Sequence, residues 1–387
     1  MSKQSPFGRI GGPLAGVRVV ELSGIGPGPF ATMLLADMGA DVIRIDRPGP
    51  PAYELNGRFD LLRRSRPVVR VDLRDPDGRA SVYDLIEKAD VVIEGSRPGV
   101  TERLGLGPDD CMARNPRLVY GRMTGWGQQG PAAHTAGHDI TYIAVSGALH
   151  AIGEAGGPPI PPVNFVGDFG GGSLYLAMGI LAALLEARQS GKGQVVDAAI
   201  AGGAASLTTL LHGFMASGGW VDERGVNQLD GGAPYYSTYE TSDGKWVAVG
   251  AIEPKFWREF CRLLPLDSDL EEQQDPARWP ALRERIAARF KTKTRQEWTD
   301  LFFDTDACVA PVLSLTESPN HPQMQERSYT EVDGIVQPAP HPRFSRTASL
   351  IRQPPPADPV TTESIAAEWE QTPGTAPDET AKPGANA

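Results

Sequence analysis

Cysteine is scarce in this sequence. Cys111, Cys261 and Cys308 are its only three in 387 residues, far apart and odd in number. No paired spacing joins them, which argues against a disulfide framework and a zinc site and fits a reducing compartment. Positive charge is also short: 37 Lys and Arg stand against 48 Asp and Glu, a net charge of −11. Such a chain has no general attraction for nucleic acid or an anionic membrane, so a phosphate-bearing ligand needs a local basic cluster. Long apolar runs are missing, since no segment approaches the ~20 residues of a membrane span. The opening MSKQSPFGRIGGP lacks the apolar core of a secretion signal. No internal repeat is found. The expectation is a soluble, cytoplasmic protein.

What is present alternates. VRVVEL (17–22), the turn SGIGPGP, the helical FATMLLADMGA and DVIRID (41–46) form a βαβ unit, which implies a parallel sheet. PVVRVDL, DVVIEG and RLVYGRM continue the strands, with the helical GRASVYDLIEKA between the first two. This is an open α/β pattern with helices on the sheet faces. GSLYLAMGILAALLEARQSGKG reads as a helix apolar nearly all round, hence buried, and stopped at Gly191. APYYSTYETSDGKWVAVGAI reads as a hairpin around Ser-Asp-Gly. Three helices follow, the last opened by a Thr294/Glu297 capping box, and together they make a smaller α+β domain.

The expected organisation is a large domain over 1–198, a linker helix over 199–234 and a small domain over 235–306. The chain then returns to the large domain over 307–352, carried by the strand-like CVAPVLSL and FSRTA, and ends in a flexible tail over 353–387 in which TTESIAAEWE offers a short helix. Residues 1–11 read as a loose leader.

SGIGPGPF invites a dinucleotide reading, with Asp46 at 22 positions beyond Gly24. The details fail: Pro29 holds the third glycine position, and Pro27 and Pro29 have no N–H for a pyrophosphate. A strand-to-helix turn with proline fixing helix entry suits it better. Arg58, Arg63, Arg64, Arg66, Arg70 and Arg74 crowd one stretch, with Arg44, Arg47, Arg97 and Arg103 nearby in the strand plan. Such a run is either a solvated face or a site for phosphate oxygens, which the arginine fork suits.

Three motifs hold candidate chemistry. AGHDITY carries His138 and Asp139. VGDFGGG places Asp168 before three glycines, either as a helix cap or as a base meeting a ligand against bare backbone. GAIEPKF puts Glu253 directly before Pro254, at a helix N-cap that glutamate seldom fills.

These motifs, with VVELSGIGPGPFATMLLADMGADVIRIDRPG, SGKGQVVDA and LDGGAPYYSTYET, resemble the racemase branch of the family III CoA-transferases in order and spacing, from about Gly12 to Thr347. The resemblance implies a Rossmann-like large domain, a small domain and an interlocked homodimer whose site the partner's small domain completes. It implies acyl-CoA as substrate, with CoA part of the substrate and neither separate cofactor nor metal. His138 and Asp168 would be two bases and Glu253 the partner of His138. Arg47 and Arg103 would contact phosphates, Val71, Asp72, Leu73 and Arg74 the adenine side, and Gly137, Asp139, Ile140, Thr141 and Tyr142 the thioester. Thr141 replaces the asparagine common in relatives. The implied activity interconverts (R)- and (S)-2-methylacyl-CoA thioesters through an enolate.

The chemistry is consistent. Inversion beside a thioester needs a proton removed from one face and delivered to the other, which an imidazole and a carboxylate can share. The helix dipole would keep Asp168 ionised, and the bare glycines would offer N–H groups to the enolate oxygen. The alternative within the family is CoA transfer with Asp168 as nucleophile. A non-catalytic CoA-binding protein is a further one. The acyl chain is left open among branched fatty acyl, sterol side-chain and arylpropionyl groups.

Overall fold

The computed structural model describes residues 5–8, 11–22, 24–49 and 57–371. Two compact units divide the chain. The first draws on residues up to Ser146, Val163–Leu207 and Pro322 onward; the second is Gly147–Pro162 and Thr208–His321.

The first unit is built on six parallel strands: β1 (Arg18–Leu22), β2 (Asp41–Asp46), β3 (Val68–Arg70), β4 (Val91–Glu94), β5 (Val119–Thr124) and β6 (Val195–Ala199). Their order is β3-β2-β1-β4-β5-β6, the doubly wound Rossmann arrangement. Register and burial follow from alternation along each strand. Val19 pairs with Val42 and Val91, and all three enter one core. Their neighbours Val20, Ile43 and Val92 enter the other. A central parallel strand is therefore apolar on both faces, as VRVVEL and DVVIEG are.

Helices α1 (Pro27–Asp37), α2 (Pro76–Ile86), α3 (Asp139–Val145), α4 (Tyr175–Ser190) and α5 (Ile200–Leu207) belong to this unit. Leu35 of α1 and Leu176 and Ile180 of α4 fill the first core, while Val82 and Leu85 of α2 fill the second. Gly191 ends α4 in the left-handed conformation, φ 75°, as the sequence leads one to expect. The expected burial of that helix on all sides is corrected. Leu176, Ala177, Ile180, Ala183, Leu184 and Ala187 face inward, but Leu174, Met178 and Leu185 are 52–61% exposed. The turn before it, Phe165–Leu174, is π-helical. Among the described residues Phe165–Ser190 is the one helical run long and apolar enough to span a membrane by length and composition, against the expectation of none.

The second unit carries the foreseen hairpin, β7 (Tyr236–Glu240) and β8 (Trp246–Gly250). CVAPVLSL does not return to the first unit. Its β9 (Val309–Pro311) extends the hairpin by pairing antiparallel with β8. Helices α6 (Thr209–Ala216), α7 (Pro254–Leu263), α8 (Trp279–Phe290) and α9 (Arg295–Phe302) accompany them. The stretch expected as one linker is two helices, α5 in the first unit and α6 in the second. Trp257, Phe260, Phe290, Trp298 and Phe302 make an aromatic core. At the capping box, the Thr294 N–H donates to Glu297 at 2.8 Å, and the Glu297 N–H donates to Thr294 Oγ1 at 3.2 Å.

From Pro322 the chain rejoins the first unit, in a hairpin of β10 (Tyr329–Val332) and β11 (Ile335–Pro338); FSRTA forms no strand. Helix α10 (Thr362–Gln371) then sends Ile365 and Trp369 into the second core. Phe7 is buried and stacks on Trp369 at 6.1 Å, and the Arg18 guanidinium lies 5.6 Å from the same ring. A loose leader is thus wrong for residues 5–8, while α10 is the short helix expected in TTESIAAEWE, docked on the core rather than part of a flexible tail. One aromatic at each end gives both segments something to bury. The remainder of the expected tail, 372–387, lies outside the described residues.

Candidate active site

In an open α/β sheet a crevice forms beyond the carboxyl ends of the strands, where the strand order reverses. Here the reversal falls between β1 and β4, and a cavity of about 410 Å³ opens there. Its wall is made from segments that leave strand ends: Gly24–Pro29 after β1, Gly95–Pro98 after β4, and Gly125 and Trp126 after β5. Gly137, His138, Tyr142 and Asp168 complete it. The volume lies within the usual range for small-molecule sites.

His138 is the N-cap of α3, in an extended conformation at φ −137°. Its backbone N–H donates to Thr141 Oγ1 at 3.0 Å, and the Thr141 hydroxyl donates back to the His138 carbonyl at 2.7 Å. Thr141 therefore fixes the backbone from which the exposed imidazole projects. Tyr142 packs edge-on to Trp126, centroids 4.9 Å apart. A Cβ on Gly125 or Gly137 would collide with the Tyr142 ring, so both positions need glycine.

Asp168 sits in the π-helical turn, half-buried. Burial, and then the charge of Asp139, push its carboxyl up to about 6; a hydrogen bond with Asn164 and the charge of His138 pull the other way. The helix dipole does not keep it strongly acidic, because desolvation and a like charge outweigh the dipole. The glycines behind it serve packing first. Gly171 meets Gly203 and Ala204 of α5 too closely for any Cβ, and Gly172 faces Ile200, Pro27 and Met123.

The structure brings His138, Asp168, Gly137 and Tyr142 to one cavity, with Asp139 buried behind its lining. Ile140 and Thr141 are exposed on the same helix. Arg47 follows β2 directly and Val71–Arg74 follow β3, so they lie on the same carboxyl edge of the sheet without lining the cavity. Arg103 is exposed after β4. Glu253 belongs to the second unit, at the N-cap of α7, where its side chain makes no capping bond.

The arginine run divides. Arg66 is buried against Glu21, and Arg64 against Asp37. Arg44 pairs with Glu21 at 2.8 Å and Asp46 at 2.7 Å, and Arg63 with Asp46. Those four are internal supports. Arg47, Arg70, Arg74, Arg97 and Arg103 have no carboxylate partner among the described residues and can meet an anion. Two lining segments, Gly24–Pro29 and Glu94–Pro98, are absent from the sequence-derived site. The rule that ligands gather beyond strand ends is the signal that points to them. Among the described residues no cluster of three or more His, Cys, Asp or Glu could hold a metal ion. The arrangement can exchange a proton between an imidazole, a carboxyl of raised proton affinity and a group bound in the cavity.

Comparison with known proteins gives the family. The model of CoA-transferase family III matches residues 14–358. The α-methylacyl-CoA racemase of Homo sapiens is 44% identical over 342 residues, covering 87% of this chain and 88% of that protein. The racemase of Mus musculus is 43% identical over 340 residues, with the same two shares. A crystal structure of a CAIB/BAIF family protein from Brucella suis superimposes with TM-score 0.77 at 27% identity, covering 93% of this chain and all of that one.

Proposed function

The chain belongs to CoA-transferase family III, and from its likeness to the racemases of Homo sapiens and Mus musculus we propose that it is an isomerase interconverting (R)- and (S)-2-methylacyl-CoA thioesters by 1,1-proton transfer. The observation that carries the reading is that His138 and Asp168 both line one cavity at the switch point of the sheet. The substrate's α-carbon would lie between them. In one direction Asp168 takes the proton and the His138 imidazolium supplies another to the opposite face; in reverse the roles exchange. A carboxyl held at about 6 suits both tasks, because it gives and accepts a proton near neutral pH.

In this reading Arg47 and Arg103 hold the phosphates of CoA, Val71–Arg74 its adenine, and the start of α3 the thioester. CoA is part of the substrate, and the two side chains suffice for the proton transfer without metal or further cofactor. Glu253, in the small domain that a second copy brings to the site, holds the His138 imidazole in its productive tautomer. The finer parts of the proposal are a homodimer, supported by the apolar row Leu174, Met178 and Leu185 that this chain leaves exposed, and a cytoplasmic enzyme of lipid metabolism.

The test is incubation of one 2-methylacyl-CoA enantiomer in D2O without any acceptor acid. Loss of optical purity with deuterium uptake at the α-carbon is expected. Inertness until a carboxylate acceptor is added would replace the proposal with CoA transfer through Asp168.

A further inference from the structure

Asp139 is buried, 7% exposed, at the first residue of α3. An aspartate there ordinarily faces water, satisfied by solvent and helix N–H groups. Instead Oδ2 accepts the backbone N–H of Asp168 at 2.6 Å, and Oδ1 is buried with no hydrogen-bond partner among the described residues. A buried carboxylate with one oxygen unsatisfied costs stability. Room for it exists only because residue 167 is glycine, since a Cβ added there would collide with that carboxylate.

We infer that Asp139 is a positioning residue: its buried charge, acting through Asp168, keeps the Asp168 carboxyl able both to give and to take a proton. The inference rests on the racemase reading and adds a residue to its machinery. The hydrogen bond fixes the π-helical turn that presents Asp168, and the negative charge disfavours a second one beside it. Burial is the larger influence on Asp168, and Asp139 is the next. The other ionisable groups around the cavity are His138 and Tyr142 from α3, Glu94 and Arg97 from the β4 segment, and Glu21 from β1. All are unchanged by a substitution at 139.

A purely structural role and an electrostatic one separate in Asp139→Asn, whose carbonyl oxygen still accepts the Asp168 N–H but carries no charge. The Asp168 carboxyl is titrated by 13C NMR in both proteins, its resonance assigned with Asp168→Asn. The pH profile of α-proton exchange is recorded alongside. The expected result is a midpoint lower by roughly half to one pH unit, with the acid limb of the profile following. An unmoved midpoint and limb would overturn the inference. Asp139→Ser, neutral and smaller, repeats the test if the asparagine variant does not fold. Failure of both to fold would also overturn it, by making Asp139 a support of the fold. A shifted midpoint in a protein whose wild type exchanges no α-proton would uphold the electrostatic coupling and overturn the racemase reading instead.

Discussion

Asp168→Asn should make the protein more stable while stopping its turnover, and the gain should depend on pH. The folded chain raises this carboxyl from its ordinary 3.8 to about 6. For a carboxyl the direction means that the folded state penalises the charged form. The penalty is absent below about 3.8, grows as pH rises toward about 6, and is complete above it. At about 1.4 kcal/mol per pH unit the raised pKa corresponds to about 3 kcal/mol. Solvent screens a half-buried group, so roughly half, about 1.5 kcal/mol, is the expected effect. The neutral, nearly isosteric asparagine removes it. For a unit of this size that means a melting temperature higher by about 3–6 °C at pH 8, shrinking to nothing near pH 4. Scanning fluorimetry of both proteins from pH 4 to 8 reads this directly, because the other titrating groups are common to both and cancel in the difference. A variant no more stable than wild type at pH 8, or one whose advantage is constant across the range, would refute the account of Asp168 as a desolvated carboxyl facing Asp139.

Other consequences can be measured separately. Arg47→Ala should weaken every acyl-CoA alike, by about 10- to 100-fold for one charge-assisted phosphate contact; an effect confined to particular acyl chains in equilibrium binding would contradict its phosphate role. Trp369→Ala empties a fully buried site shared with Phe7 and Arg18, so chemical denaturation should show a loss of about 3–5 kcal/mol; a loss below about 1 kcal/mol would mean that α10 is not a working part of the core. Gly167→Ala should cut α-proton exchange sharply by driving its methyl group into the Asp139 carboxylate, and a variant with normal exchange would place that carboxylate elsewhere.

Much of the fold can be read from the sequence because its signals are local. β1, β2 and β4 centre on Val and Ile pairs bounded by turns, and the β7–β8 hairpin and the Thr294 box each declare themselves within a few residues. The misses have physical causes. β6 is an edge strand with Val195 42% exposed, so QVVDA shows no clean alternation. β9 is legible as a strand, but its sheet is decided only by pairing with β8, about sixty residues earlier. Phe7 and Trp369 are single aromatics in polar surroundings, and no periodicity reveals that they meet. The site divides in the same way. His138 and Asp168 stand in recognisable motifs and do share a cavity. A charge run names no partners, so Arg64 and Arg66 look like ligand cations until the fold brings Asp37 and Glu21, 27 and 45 residues away, against them. The raised proton affinity of Asp168 is hidden from the sequence for a related reason. The dipole of its turn is legible locally, whereas the burial and the Asp139 charge that outweigh it are tertiary.

The first unit is assembled from three stretches separated by the whole of the second, and its closing pieces are the hairpin and helix after Pro322. On the ribosome the sheet therefore emerges long before Ile365 and Trp369 exist to cover its second core. The second unit, whose core is drawn from residues 233–307, is complete while the first still shows bare apolar surface. During synthesis this nascent chain must shelter an unfinished half, and a stop codon anywhere before α10 would leave that half permanently open to chaperones and proteases.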